Sequence, residues 1–333
     1  MTDRSSAASP APRALGSGAF APGTLGSGAL AAALATPSRG SMLREQGRAF
    51  VTAARVGWRM EANWTDPVLF FIYSVAKPVS AALILVVMLQ VVGGTGSAAL
   101  RPFVVVGTAL WSLVTSGISG LAWSILDDRE RYRMLKYIYV SPANFLVVLL
   151  GRGVARLGVG LAGAGITILV GVIALGVPFE PASIDWPVLV LSMLLGLGSV
   201  LAVALLLAAI CLQTRQESWS YPEAFAGAAF LVSGAVFQLS ILPAPIQVLG
   251  LLTPLTWWIE TARRALLPGV VSGVGGPGTA LAALDGGVEP TLGACLVALI
   301  VTGAIATLAA AVVFRISVRR ASDRGLLDLT TGS

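Results

Sequence analysis

Charged and chemically versatile side chains are scarce in this chain of 333 residues, and their scarcity excludes several classes of protein. Only 11% of the residues are charged, against about 25% in soluble domains, which excludes a typical cytoplasmic enzyme. Histidine is absent, so histidine-centred catalysis and histidine-ligated metal sites are excluded. The only lysines, Lys77 and Lys136, follow Ala76 and Leu135, so neither belongs to a Walker A phosphate loop. We predict no catalytic residue, metal site or cofactor in this chain.

Long uncharged runs replace the missing polar residues, since 56% of the chain is hydrophobic. A membrane-spanning helix needs about 20 apolar residues. Six stretches reach that length: 78–100, 102–126, 157–179, 186–214, 224–259 and 290–314. The fifth is too long for one helix, and prolines interrupt its second half. We predict an all-α integral membrane protein with six transmembrane helices, the fifth ending near Ser240, and then a broken re-entrant segment containing Gly234, Pro243, Pro254, Glu260 and Arg263.

The region before the first span divides into two parts. Residues 1–40 are rich in Ala, Gly, Ser and Pro and are predicted to form a disordered tail without a cleaved signal. Residues 41–66 are predicted to form an amphipathic interface helix capped by Ser41, with its basic residues on one stripe. That membrane-surface stripe consists of Arg44, Arg48, Arg55 and Arg59. The six-span domain then covers residues 67–314, and a cytoplasmic tail covers residues 315–333.

The basic residues are distributed unevenly over the two predicted membrane faces. With the N-terminus inside, all but four of the 22 basic residues lie on the inner side. Arg101, Arg263 and Arg264 lie outside, and Lys77 lies within the first helix. Since basic residues favour the cytoplasmic side, we predict a multi-pass protein of the cytoplasmic (inner) membrane with both termini in the cytoplasm. The net charge of +6 is thus a topology signal, and we predict no nucleic-acid partner.

The inner loop after the second span carries the densest charge cluster. Residues 127–137 read DDRERYRMLKY, which mixes both signs of charge with tyrosines. A positive-inside loop needs only basic residues, so the acidic residues and tyrosines indicate a docking surface for a protein partner.

With this loop the sequence resembles, over most of its length, the membrane permeases of type-2 ATP-binding cassette (ABC) exporters. The resemblance covers residues 41–320 and includes the interface helix, six spans, and a coupling helix that ends in Ser141-Pro142. Gly151-Arg152 is similar to the family's entry to span three. The later landmarks are Ser233-Gly234, Leu242-Pro243, Thr253-Pro254-Leu255-Thr256, and Glu260 with Arg263. The chain departs from many members in having Tyr132-Arg133 where they carry Gly-Thr.

The resemblance implies a non-catalytic permease subunit that forms a translocation path for a cargo. Two permeases, identical or related, would assemble with two cytoplasmic ATPase subunits, which bind ATP and Mg. The implied ATPase-coupling interface comprises Asp127, Asp128, Arg129, Glu130, Arg131, Tyr132, Arg133, Lys136 and Tyr137, with Arg215 and Glu217 as a second contact. The implied partners are therefore the ABC ATPase, a second permease and membrane lipid.

Polar residues within the spans are the candidates for the path wall. Ser112, Thr115, Ser116 and Ser119 lie on span two, and Gln238 lies on span five. Lys77 has two interpretations, a structural snorkelling residue or a cargo contact.

Three other classes of protein were weighed against the permease. An ion-gradient-driven secondary transporter or channel is the main alternative, but it should carry mid-span carboxylates, and the predicted spans contain none. A membrane enzyme would need clustered catalytic groups, which are not visible. A membrane anchor or assembly factor stays open but leaves the broken fifth segment unexplained.

Overall fold

A computed structural model describes residues 39–63, 76, 79–88, 90–91, 99–141, 143–214, 220–282 and 287–325. Almost all of the predicted tail, together with Lys77, Pro142, Arg215 and Glu217, lies outside these ranges. The contacts divide the chain into Met1–Leu43 and Arg44–Ser333. Of the first unit the structure describes only the start of a helix, and the packing below concerns the second unit.

The described residues are helical and contain no strand, which confirms the prediction of an all-helical chain. The principal helices in chain order are α1 (Arg39–Asn63), α2 (Val79–Met88), α3 (Arg101–Leu126), α4 (Leu135–Val140), α5 (Phe145–Leu175), α6 (Trp186–Gln213), α7 (Ser220–Val232), α8 (Ala244–Leu252), α9 (Pro254–Leu266) and α10 (Leu292–Asp323). A π-helical turn (Asp127–Arg131) follows α3, and a 3₁₀ turn (Leu239–Ile241) precedes α8.

Four of the described helices are long and apolar enough to cross a membrane. They are α3 with its π-helical extension, α5, α6 and α10. The predicted first span is described only in part, as α2. The predicted fifth span does not continue to Ser240, because α7 ends at Val232 and Gly234 turns the chain with a left-handed φ of 67°. With 13 residues, α7 extends about 20 Å, less than the roughly 30 Å apolar core of a bilayer.

Local sequence signals account for the helix ends. The side chain of Asn144 accepts from the Leu146 amide at 3.0 Å at the start of α5, and Thr291 accepts from Ala294 at 3.2 Å at the start of α10. Pro243 precedes α8, and Pro254 is the first residue of α9, a position where its missing N–H costs nothing. Ser41 does not cap α1, because the helix already begins at Arg39.

The most deeply buried of the four long helices is α3, which packs against α5, α6, α7 and α9. The interface helix α1 contacts α5 through Ala53 and Gly57, which are buried. Its stripe of Arg44, Arg48, Arg55 and Arg59 is exposed. Large apolar side chains of α1, among them Val56 and Trp58, are also about half exposed, which fits a helix that lies in a membrane surface.

Candidate functional site

The π-helical turn after α3 carries an arginine that points into the protein. Arg129 is 4% exposed. Its Nη1 donates to the carbonyl oxygens of Cys211 at 3.2 Å and Thr214 at 2.9 Å, and its Nη2 contacts the Glu130 carboxylate at 3.0 Å. The last carbonyls of a helix lack partners within the helix and carry partial negative charge. Arg129 therefore caps the C-terminal end of α6 from the loop that follows α3.

The neighbouring carboxylate ties the same turn to two other helices. Asp128 is 5% exposed and forms an ion pair with Arg152 of α5, which is 7% exposed. Arg152 also contacts the Met60 sulfur of α1 at 3.6 Å. Breaking a buried pair leaves an uncompensated charge, typically at a cost of about 3–5 kcal/mol. Asp128 and Arg152 thus hold α1, α5 and the end of α3 together.

Most of the remaining cluster faces outward and forms a continuous segment. Tyr137 and Val140 are the most exposed of its large side chains, at 67% and 81%. We call the following exposed residues the docking surface: Glu130, Arg131, Tyr132, Arg133, Met134, Tyr137, Tyr139 and Val140. The predicted interface is therefore divided: Asp128 and Arg129 are buried, whereas Glu130 to Arg133 and Tyr137 are exposed. Arg133 has a left-handed φ of 50°, which is uncommon for a residue with a Cβ.

A large cavity lies among α2, α3, α5 and α7. Its volume is about 800 Å³, within the range of small-molecule sites. Ser112, Thr115, Ser116 and Ser119 all line it, so the hydroxyls predicted on span two lie on one wall. Gln238 does not line this cavity and instead donates to the Ser272 carbonyl at 3.2 Å, because the chain has left the α7 axis at Gly234.

The cavity wall is mainly apolar with a few polar positions. Aromatic side chains come from Trp111, Trp123 and Phe230, and charged side chains from Arg156 and Glu223. The hydroxyls of Ser112, Thr115 and Ser116 donate to backbone carbonyls of their own helix at 2.7–2.9 Å. A hydroxyl has one proton to donate and two lone pairs, so these three keep acceptor capacity towards the cavity. Such a wall suits an amphiphilic molecule with a small polar group.

A second buried network surrounds Glu260 of α9, which is 1% exposed. Its carboxylate accepts from Arg264 Nε at 2.7 Å, Ser272 Oγ at 2.9 Å, the Gly273 amide at 3.0 Å and Arg263 Nη1 at 3.3 Å. Each carboxylate oxygen therefore has two donors, as a buried charge requires.

The two arginines carry this network to other segments. Arg263 donates to the carbonyls of Gly234 at 3.0 Å and Ala235 at 2.9 Å, and its guanidinium lies 3.7 Å from the Phe103 ring centroid. Arg264 donates to the Pro290 carbonyl at 2.6 Å. One turn of α9 thus fixes the turn after α7, the loop 272–275 and the segment before α10.

Several of these residues escape prediction from the sequence. The ion pair of Arg152 with Asp128 and the contact of Ser272 with Glu260 depend on tertiary packing, which the sequence pattern does not give. Gly107 of α3 is another case, because a Cβ there would stand 1.7 Å from the Ala235 carbonyl oxygen. The sequence matches no protein-family model and no curated protein.

Proposed function

We propose that this chain is the transmembrane permease subunit of an ABC exporter, with ATP hydrolysis in a separate cytoplasmic subunit. The observation that carries the proposal is the anchorage of the docking surface. Arg129 and Asp128, at its base, join the ends of α3 and α6 to α5 and α1. A force applied to the exposed residues would therefore reach four helices through buried polar contacts.

This arrangement supports coupling between a soluble motor and a membrane path. Tyr132, Met134, Tyr137 and Tyr139 offer aromatic and flexible apolar side chains, which are enriched in protein interfaces. Closure of the ATPase subunits would move the docking surface, and the helices tied to it would tilt as rigid bodies. ATP and Mg bind the partner in this proposal, and Arg215 and Glu217 provide the second contact.

The cavity of about 800 Å³ supports a path for cargo. Its apolar and aromatic wall, with the serines of α3 and the charges of Arg156 and Glu223, suits an amphiphile. The exposed apolar residues of α2 and α7, such as Val87 and Phe225, are available to a second permease or to lipid.

The proposal includes a finer topology. Six crossings arise if α2 is part of the first span and α7, which with 13 residues is too short to cross alone, is part of the fifth, with α8 and α9 as a re-entrant pair. Both α8 and α9 are too short to cross a bilayer alone. The predominance of basic residues on the inner side supports the cytoplasmic membrane with both termini in the cytoplasm.

Co-purification tests the proposed partner. The tagged full chain is purified from its own host in mild detergent, and bound proteins are identified by mass spectrometry. We expect an ATPase that carries a Walker A sequence. A Met134→Ser, Tyr137→Ser double variant should lose this ATPase, whereas the matched control Trp186→Ser, which alters an exposed aromatic residue at the other end of the spans, should retain it. Equal recovery of the ATPase with the double variant would contradict the proposed docking surface.

A further inference from the structure

A small cavity lies where α1, the end of α3 and the start of α5 meet. Its volume is about 80 Å³. Met60 of α1 lines one side, and Arg152 and Arg156 of α5 line another. Asp127 and Arg131 of the π-helical turn complete the charged part of the wall. Neither the proposed path nor the docking surface requires this cavity.

The charge of the wall favours an anion. Three guanidinium groups, those of Arg131, Arg152 and Arg156, line the cavity with one carboxylate, that of Asp127. Guanidinium groups therefore outnumber carboxylates on the wall itself, since Asp128, which pairs with Arg152, is not part of the lining. Guanidinium groups form charge-assisted hydrogen bonds to phosphate oxygens, often in pairs.

One of the three guanidinium groups is not fully satisfied by protein contacts. Arg152 is 7% exposed, yet its Nε has no hydrogen-bond partner among the residues that the structure describes. The Nε atoms of Arg101, Arg129 and Arg263 also have no hydrogen-bond partner among the described residues, but of these four arginines only Arg152 lines this cavity, where a water, an ion or a ligand group can supply one. An anion in the cavity would add a second negative partner to this side chain.

The size of the cavity limits what can enter. Roughly 10–15 Å³ of such volume holds one water molecule, so about 80 Å³ accommodates a tetrahedral group but not a nucleotide or an acyl chain. The rest of the ligand must lie outside. Because α1 has the exposed arginines and apolar residues of a membrane-surface helix, a phospholipid headgroup could reach the cavity from the inner leaflet.

We infer that this cavity binds a phosphate group, supplied by an anionic phospholipid. The bound phosphate would bridge Arg152 and Arg156 of α5 to Arg131 at the base of the docking surface, and the junction with α1 would become dependent on lipid. The shared chemistry is that of a phosphate monoester or diester, so soluble phosphate is the other possible source. The site shares Arg131 with the docking surface and Arg156 with the large cavity, but lipid binding needs neither the ATPase partner nor cargo and can be measured apart from transport.

Native mass spectrometry of the delipidated full-length protein in neutral detergent tests the inference. The probe is phosphatidic acid, compared with diacylglycerol that has the same acyl chains and lacks only the phosphate. We expect phosphatidic acid to bind at least about tenfold more tightly, as charge-assisted hydrogen bonds to arginine imply. Equal binding of the two lipids would overturn the inference.

Matched variants locate the binding. An Arg131→Gln, Arg156→Gln double variant should bind phosphatidic acid at least about tenfold more weakly. The control Arg319→Gln, Arg320→Gln removes the same charge from exposed positions near the end of α10 and should change binding by less than about twofold. Equal losses of affinity in the two double variants would mean that phosphatidic acid is attracted non-specifically to basic residues, and would overturn the assignment of the site.

Two further measurements guard against misfolding and assign the source. Asp127→Asn removes the repelling carboxylate and should tighten phosphatidic acid binding, a gain that a damaged fold would not produce. Unchanged or weaker binding in this variant would contradict the inference. Competition by millimolar inorganic phosphate for the wild-type site would identify soluble phosphate as the source and overturn the assignment to a lipid. Failure of inorganic phosphate to compete supports the lipid.

Discussion

The buried network around Glu260 gives the sharpest prediction for stability. Glu260→Gln keeps the shape of the side chain but removes the charge that faces Arg263 and Arg264 at 3.3 and 2.7 Å. Both Glu260 and Arg263 have side chains that are 1% exposed, so water cannot replace the lost carboxylate. Removing one partner of such a pair costs about 3–5 kcal/mol. We expect the free energy of unfolding to fall by that amount.

A control within the same network separates burial from charge. Glu289→Gln removes a carboxylate that lies 3.6 Å from Arg264 but is 58% exposed. Exposed ion pairs contribute about 0–1 kcal/mol, so the free energy of unfolding of this variant should lie within about 1 kcal/mol of the wild-type value. The difference between the two variants should therefore exceed about 2 kcal/mol.

Two cysteines provide the assay. Cys211 and Cys295 form no disulfide, and each is 0% exposed, so a thiol-reactive dye should label them only after unfolding. Labelling is followed during a denaturant titration of the purified protein in neutral detergent. If the free energies of unfolding of Glu260→Gln and Glu289→Gln differ by less than about 1 kcal/mol, the argument that Glu260 compensates buried charge is refuted.

Three further predictions concern the helix contacts and the cavity. Gly107→Ala places a Cβ 1.7 Å from the Ala235 carbonyl oxygen, and we expect a loss of at least about 1–3 kcal/mol in the same unfolding assay; no loss would mean that this contact is not tight. Asp128→Asn leaves Arg152 without its carboxylate, and the free energy of unfolding should fall by about 3 kcal/mol, whereas a neutral result would show that this pair is solvated. Ser112→Leu narrows the large cavity, so cargo transport should fall while stability changes by less than about 1 kcal/mol, and undiminished transport would place the path elsewhere.

The apolar runs and their breaks were predictable because they depend on local sequence. Each long helix overlaps one uncharged stretch, although α5 begins well before residue 157 and α10 continues beyond residue 314. Pro243 and Pro254 stand where α8 and α9 begin. Ser112, Thr115, Ser116 and Ser119 were candidates for a path wall because they are the polar residues of span two, and they line one cavity.

The burial of individual charges was not predictable, because it depends on partners far along the chain. Asp127 to Arg131 read as one docking cluster, yet Arg129 lies against the end of α6 and Asp128 against α5. The end of α7 was missed for a related reason. An apolar run shows no break at Gly234, whose left-handed turn is fixed by Arg263 from a later helix.

Transport by reconstituted vesicles tests the central claim most directly. The chain is incorporated with its co-purified ATPase, and export of a fluorescent lipid-like amphiphile is measured with ATP, with an ion gradient alone, and with the Met134→Ser, Tyr137→Ser variant. The account predicts export that requires ATP and is lost in the variant, while the ATPase alone still hydrolyses ATP. Export driven by the ion gradient without the ATPase would contradict it.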